Sequence, residues 1–290
     1  MTALDAFRQL TESFTLDHLF SLIGIGLLSV WLMRTSLGRE SLVHSPPRRN
    51  SMPPQLPFFA LFVWLIGPLI VQSLIASLRD PVTEVQAALQ NGVVMGVVAL
   101  SVTFGLVLPL ASAHFARGLK GFGLQFRTVP RDLAASFVHL LAVWPLVLAA
   151  VVATMRIGQW ISQLLSGRDF QMPTHEALRQ MMEFSDVPLS VLLAFLAVVV
   201  APLVEEMIFR GLFQTMIRSY LGRPWPAIML TSALFAAVHG NATHWPALFV
   251  LSVGLGYAYE KSGSLFRPIF MHALFNGISI LGALIDSKPA

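Results

Sequence analysis

Apolar residues run along this chain in eight blocks bounded by charge or proline, at 16–33, 58–78, 91–113, 133–155, 189–217, 225–239, 246–259 and 267–285. A helix needs about 20 mostly apolar residues to cross a bilayer. The pattern therefore predicts an all-α fold, a polytopic membrane helix bundle of about eight transmembrane helices. The sixth and seventh blocks are short for a full crossing, which suits helices that tilt or pack deep inside the bundle. Between the blocks, Pro46, Pro47, Pro53, Pro54 and Pro57 predict an extended linker. The longest polar stretch, 156–187, carries a surface helix over 174–184. Gly92 and Gly96, spaced as G-x-x-x-G, mark close helix packing. The first fifteen residues hold one basic group, Arg8, and no small-residue cleavage site follows the first block, so the first span is expected to stay. No internal repeat of the transporter kind is visible. The chain divides into 1–187, with four helices and their loops, and 188–286, with helices five to eight.

Composition makes the membrane reading firm. The 290 residues are 55% hydrophobic and 12% charged, with a mean hydropathy of +0.70. A soluble domain carries about 25% charged residues, so this chain has too little polar surface to cover itself in water. The lipid bilayer is its partner, and no nucleic acid is expected despite a pI near 10.0, because basic residues in a membrane protein serve topology first. Cysteine is absent, which excludes disulfides, thiolate zinc sites and cysteine nucleophiles. Of the nineteen Lys and Arg residues, twelve lie in the first, third, fifth and seventh connections. Six lie on the other side (Arg8, Arg79, Arg156, Arg168, Arg179 and Lys288), and Arg210 is inside a span. Cytoplasmic loops carry the basic excess, so the odd connections are cytoplasmic and both termini are not.

Ionisable groups inside spans cost about 2.5 to 3.5 kcal/mol each on insertion scales and are functional candidates by default. The C-terminal half concentrates them. In the fifth span, Glu205, Glu206 and Arg210 follow a long apolar run and Pro202. Glu206 and Arg210 are four apart and share a helix face, whereas Glu205 diverges from Glu206 by about 100° and has no partner in its own helix. Its charge has to be met by another helix, as suits a general base. Pro202 removes a backbone hydrogen bond and predicts a kink just before the pair. His239 ends the sixth block, and His272 and Asn276 sit four apart on the eighth. Amide hydrolysis needs an activated water, a proton carrier for the leaving amine and donors aimed at the oxyanion. Glu205 with His239 can do the first two jobs, and His272 with Asn276 the third.

The ordered set E-E-x-x-x-R at 205–210, F-x-x-x-H at 235–239 and H-x-x-x-N at 272–276 resembles the CAAX protease and bacteriocin-processing family. That family includes the type II CAAX prenyl endopeptidases and many bacterial intramembrane proteases. The likeness covers roughly 189–285, and the G-F-G-L at 121–124 looks like a turn that often precedes the fourth span in such proteins. The resemblance implies that Glu205 and His239 activate water and that His272 and Asn276 hold the oxyanion, with Glu206, Arg210 and Phe235 in support. It implies an intramembrane endopeptidase, without an assigned cofactor or metal, acting on a membrane-associated protein or peptide in a bacterial cytoplasmic membrane.

Other readings use the same residues. Glu205, His239 and His272 would make a zinc site with an open fourth position. A transporter could use the groups to bind an ion or relay protons, although they cluster in three spans without symmetric broken helices. An inactive scaffold or immunity-type protein would keep the fold, yet all four catalytic positions are filled here. Glu206 with Arg210 reads equally as a helix-stabilising pair, and His272 with Asn276 as interhelical glue. His175 and Glu176 begin an H-E-x-x-H zinc motif, but Arg179 stands where its second histidine belongs. The sequon at Asn241 reads as coincidence, and His18, His114, His139 and His244 as structural.

The charge distribution sets a topological expectation. Added outside intact cells, an impermeant thiol reagent should leave Ser51→Cys unlabelled and should label Ser166→Cys in the fourth connection. The reverse pattern would invert the topology.

Overall fold

In lipid every backbone polar group must be satisfied within its own segment, and the apolar blocks accordingly fold as long helices. The structure, a computed structural model, describes residues 16–45, 47–78, 82–173, 176–184 and 186–286; Arg8, Pro46, Arg79, Thr174, His175 and Lys288, named above, lie outside them. The helices are α1 (Leu16–Arg34), α2 (Gln55–Leu78), α3 (Glu84–His114), α4 (Gly118–Phe122) and α5 (Val129–Ser166), followed by α6 (Glu176–Glu183), α7 (Val187–Leu221), α8 (Pro224–Ala237), α9 (Trp245–Ser262) and α10 (Phe266–Asp286). No strand occurs among the described residues. The surface helix expected over 174–184 is α6, whose Arg179 pairs with Glu183 at 2.9 Å.

Among the described residues six helices are long and apolar enough to cross a membrane: α1, α2, α3, α5, α7 and α10. This is a multi-pass integral membrane protein, with fewer full-length spans than the eight blocks suggested. The sixth and seventh blocks form α8, of 14 residues, and α9, whose last turn holds Glu260 and Lys261. α8 buries one face, with Ala227, Ile228, Thr231 and Phe235, and exposes Met229 and Leu230 on the other. Leu251, Leu255 and Ala258 of α9 are buried against Leu140, Trp144 and Val147 of α5 and Met271 of α10. A second core joins α2, α3 and α7 through Ala60, Val102, Val107, Val204, Ile208 and Leu212. Gly92 and Gly96 bring α3 onto Leu192 and Leu196 of α7. The outward faces are apolar, as on α2 with Phe58, Phe62, Leu69 and Ile70.

The basic connections gather at one end of this bundle. Ser45 of the first donates to the Glu260 carboxylate at the end of α9 (2.9 Å), Arg218 of α7 reaches Ser45 O (3.2 Å), and Lys261 donates to Ser41 O (2.8 Å). The G-F-G-L turn completes the cluster, with Gly123 O accepting from Leu265 N at 3.0 Å. Gly123 has φ of 114°, and a Cβ there would lie 3.0 Å from Leu265 N, so the turn takes its left-handed form against the α9–α10 junction only with glycine. Four odd-numbered connections meeting at one end is what alternating crossings require. Buried Asp132 at the start of α5 accepts from Arg267 Nε and Nη2 at 3.1 and 2.9 Å, which fixes where α10 begins.

Candidate active site

The site is built around an irregular stretch of α7. Two π-helical segments, Leu196–Val200 and Met207–Gln214, flank the turn that carries the glutamates. In the first, Ala201 N–H bonds to Leu196 O, five residues back. Ala197 O would need the N–H of residue 202 in the same pattern, and Pro202 has none. Asn276 of α10 takes up that carbonyl, its Nδ2 donating to Ala197 O at 2.7 Å. The disruption expected at Pro202 is thus present as π-helical widening, with a side chain from another helix bonded into it.

Glu206 and Arg210 share a face and pair as their spacing predicts, with Nη1 donating to Oε1 at 3.0 Å and both side chains wholly buried. Arg210 Nη2 reaches Ser252 of α9, to its Oγ at 2.6 Å and its carbonyl at 3.2 Å. The guanidinium lies over the Phe235 ring, 4.7 Å from its centroid, adding a cation–π contact. Glu206 Oε1 also faces His272 Nδ1 at 2.9 Å. A carboxylate only accepts, so this Nδ1 carries the proton.

Glu205 points to a different face and meets two histidines, His239 just past the end of α8 and His272 on α10. Its Oε2 lies 3.8 Å from His239 Nε2 and 4.0 Å from His272 Nε2. His239 Nδ1 is 2.6 Å from Phe235 O, and a carbonyl also only accepts, so both rings present Nε2 to the carboxylate. The gaps exceed direct hydrogen bonds and suit a bridging water. His239 is a quarter exposed whereas Glu205 is buried, so the site reaches the surface at His239, about 21 Å along α8 from the basic end. Trp245 Nε1 donates to His239 O at 2.9 Å and holds that corner.

The structure therefore brings Glu205, His239 and His272 together, places Glu206, Arg210 and Phe235 directly behind them, and puts Asn276 one turn along from His272 with one amide hydrogen committed to Ala197 O. Among the described residues no three His, Asp or Glu side chains converge closely enough to hold a metal ion. Ser252, Gln214 and Glu260 escaped the sequence reading. Gln214 Nε2 donates to Gly256 O at 3.0 Å and to Glu260 Oε1 at 3.2 Å. The signal was present in a spacing of four, since 206, 210, 214 and 218 on α7 are all polar, as are Ser252 and Glu260 on α9.

This is a helical membrane protein whose buried carboxylates and histidines converge from α7, α8 and α10. Residues 187–278, which contain all three motifs, match the family model described as Rce1-like, type II CAAX prenyl endopeptidase. The resemblance to the CAAX protease and bacteriocin-processing family is shown over that segment. An uncharacterized 24.3 kDa protein of Escherichia coli is 27% identical over 117 residues, 39% of this chain and 54% of that protein. The UPF0177 protein YaiF of Lactococcus lactis subsp. lactis (strain IL1403) is 29% identical over 136 residues, 45% of this chain and 60% of that protein. The chain thus spans little more than half the length of these relatives, and no solved structure matches it.

Because Glu206 serves both Arg210 and His272, Glu206→Gln should lower the melting temperature in detergent. The cost is about 3 to 5 kcal/mol for a buried charge that loses its partner. Replacing Glu206 and Arg210 together by Gln and Met should recover only part of it, since the neutral amide oxygen of Gln is a weaker acceptor for His272 Nδ1–H than the carboxylate it replaces. An unchanged melting temperature in Glu206→Gln would overturn this assignment.

Proposed function

We propose that the protein is an intramembrane endopeptidase that hydrolyses a peptide bond of a membrane-associated protein or peptide with a water activated by Glu205 and His239. One observation carries the reading: Glu205 Oε2 faces the Nε2 atoms of His239 and His272 at 3.8 and 4.0 Å, while the other nitrogen of each ring is already bonded. Glu205 Oε2 and His239 Nε2 face each other across a gap too long for a direct bond, which leaves room for a proton donor between them, and water is the smallest that fits. Glu205 takes a proton from this water as its oxygen attacks the carbonyl carbon. The proton passes to His239 and from its Nε2 to the leaving nitrogen as the C–N bond breaks, so the products are one acid and one amine. His272, held by the Glu206 carboxylate, presents an Nε2–H to the oxyanion when it is an imidazolium. Asn276 adds its second amide hydrogen. The family match over 187–278 supports this chemistry, and relatives in Escherichia coli and Lactococcus support a bacterial cytoplasmic membrane as its place.

A zinc-dependent version of the same reaction has one observation in its favour. Metal-bound histidines present one nitrogen and donate the other to a carboxylate or carbonyl, as His272 and His239 do here. We favour the metal-free route, in which no Lewis acid is needed. Cleavage by the purified protein should survive a strong chelator; activity that is lost and returns only with stoichiometric zinc would establish the metal route. Glu205→Gln keeps shape but removes the proton acceptor. It should cut cleavage by at least ~10² with an unchanged melting temperature, and normal cleavage by this variant would overturn the proposal.

A further inference from the structure

At the basic end of the bundle, away from the glutamates, a pocket of ≈ 790 Å³ opens between three connections. Five cations line it: Arg48 and Arg49 from the first connection, Arg117 and Lys120 from the third, and Lys261 from the end of α9, against one carboxylate, Glu40. It is separate from the catalytic cluster, because α9 carries Ser252, beside Arg210, about 14 Å of helix before Lys261.

The walls of this pocket are built. Asn50 and Phe115 form an antiparallel bridge, and Ser51 N–H bonds to His114 O while Ala116 N–H bonds to Arg49 O, so the first and third connections are laced together. Arg48 is set against α9, its guanidinium 3.6 Å above the Tyr259 ring centroid and Nη2 on Tyr259 O at 3.3 Å. Lys261 is held by Ser41 O. Arg49, Arg117 and Lys120 are exposed, and their side chains make no hydrogen bond or ion pair to the described residues. Charges that serve topology alone need only lie in the right loops. Here cations from three loops are pressed into one concavity, where they repel one another until an anion enters.

We propose that this pocket binds a phosphate-bearing anion, the headgroup of an anionic phospholipid at the cytoplasmic surface. Its volume lies within the range of small-molecule sites, and basic pockets between membrane helices suit phosphate headgroups. Arg49 and Arg117 offer forked donors to phosphate oxygens, and Lys120 a compact charge. Binding ties the first and third connections to the end of α9 and so stabilises the native bundle. The inference does not depend on the proposed peptidase activity.

The test is a thermal-shift titration of the purified full-length protein in neutral detergent. The probes are dioctanoyl phosphatidylglycerol, dioctanoyl phosphatidylcholine and inorganic phosphate. Phosphatidylglycerol should raise the melting temperature in a salt-sensitive manner and phosphatidylcholine should not. The triple variant Arg49→Ala, Arg117→Ala, Lys120→Ala should require at least ~10-fold more phosphatidylglycerol for the same rise. The triple variant Arg39→Ala, Arg127→Ala, Arg223→Ala, which removes equal charge from exposed positions outside the pocket, should respond like the wild type. Should the first variant not be recovered folded, Arg117→Ala alone should show a smaller loss in the same direction. A rise with inorganic phosphate alone, lost in the pocket variant, would support the site and identify free phosphate as its ligand. Equal responses by the wild type and the pocket variant, or equal weakening of both triple variants, would overturn the proposal.

Discussion

A guanidinium with no exposure inside a membrane bundle is the constraint on which the rest of this site depends. Arg210 cannot shed its charge, so its neighbours have to supply what water would. Glu206 supplies the counter-charge, Ser252 two acceptors and Phe235 a ring face. These partners come from α7, α9 and α8, and through Glu206 the set extends to His272 of α10. Satisfying one cation therefore fixes the relative positions of four helices. Glu205 is left on a face of its helix about 100° away, where His239 and His272 face it.

The same logic runs along the contact between α7 and α9. These helices are parallel, and their polar groups pair at a constant offset: Arg210 with Ser252, Gln214 with Gly256, and Gln214 again with Glu260 one turn on. A Cβ at Gly256 would lie 2.7 Å from Gln214 Oε1 and 3.0 Å from Ile228 Cγ2, so α9 approaches its neighbours closely at this point. Glu260 in turn accepts from Ser45 of the first connection. A continuous polar seam thus runs from the catalytic cluster to the basic end, inside a bundle otherwise held by apolar packing. Each hydrogen bond in it contributes only about 1 kcal/mol net, but leaving one buried member unpaired costs more than that. Such a seam specifies register between helices more than it adds stability.

Pro202 shows how a local defect is used. Its missing N–H releases a carbonyl that α10 recruits through Asn276, and the π-helical turns on either side set the directions of residues 205 to 214. An asparagine that reads as a substrate-facing donor is also a tie between α7 and α10. The two roles are compatible because its Nδ2 carries two hydrogens.

Much of this was legible in the chain alone. Long apolar blocks specify helices that need no partner to satisfy their backbone, so the all-α membrane fold follows from hydropathy. A spacing of four specifies a shared face, so the Glu206–Arg210 pair and the divergence of Glu205 follow from helix geometry. Other features could not be read this way. How the short blocks at 225–239 and 246–259 sit depends on which of their faces are covered: α9 packs its Leu251, Leu255 and Ala258 on α5 and α10, while α8 keeps Met229 and Leu230 exposed. That His272 meets Glu206 with one nitrogen and Glu205 with the other is a matter of distances across helices 66 residues apart in the chain. Gathering five cations into one pocket likewise required three connections to fold against one another. Periodicity along a helix is a local property and is written in the sequence; which faces meet is decided by the packing of all the helices together.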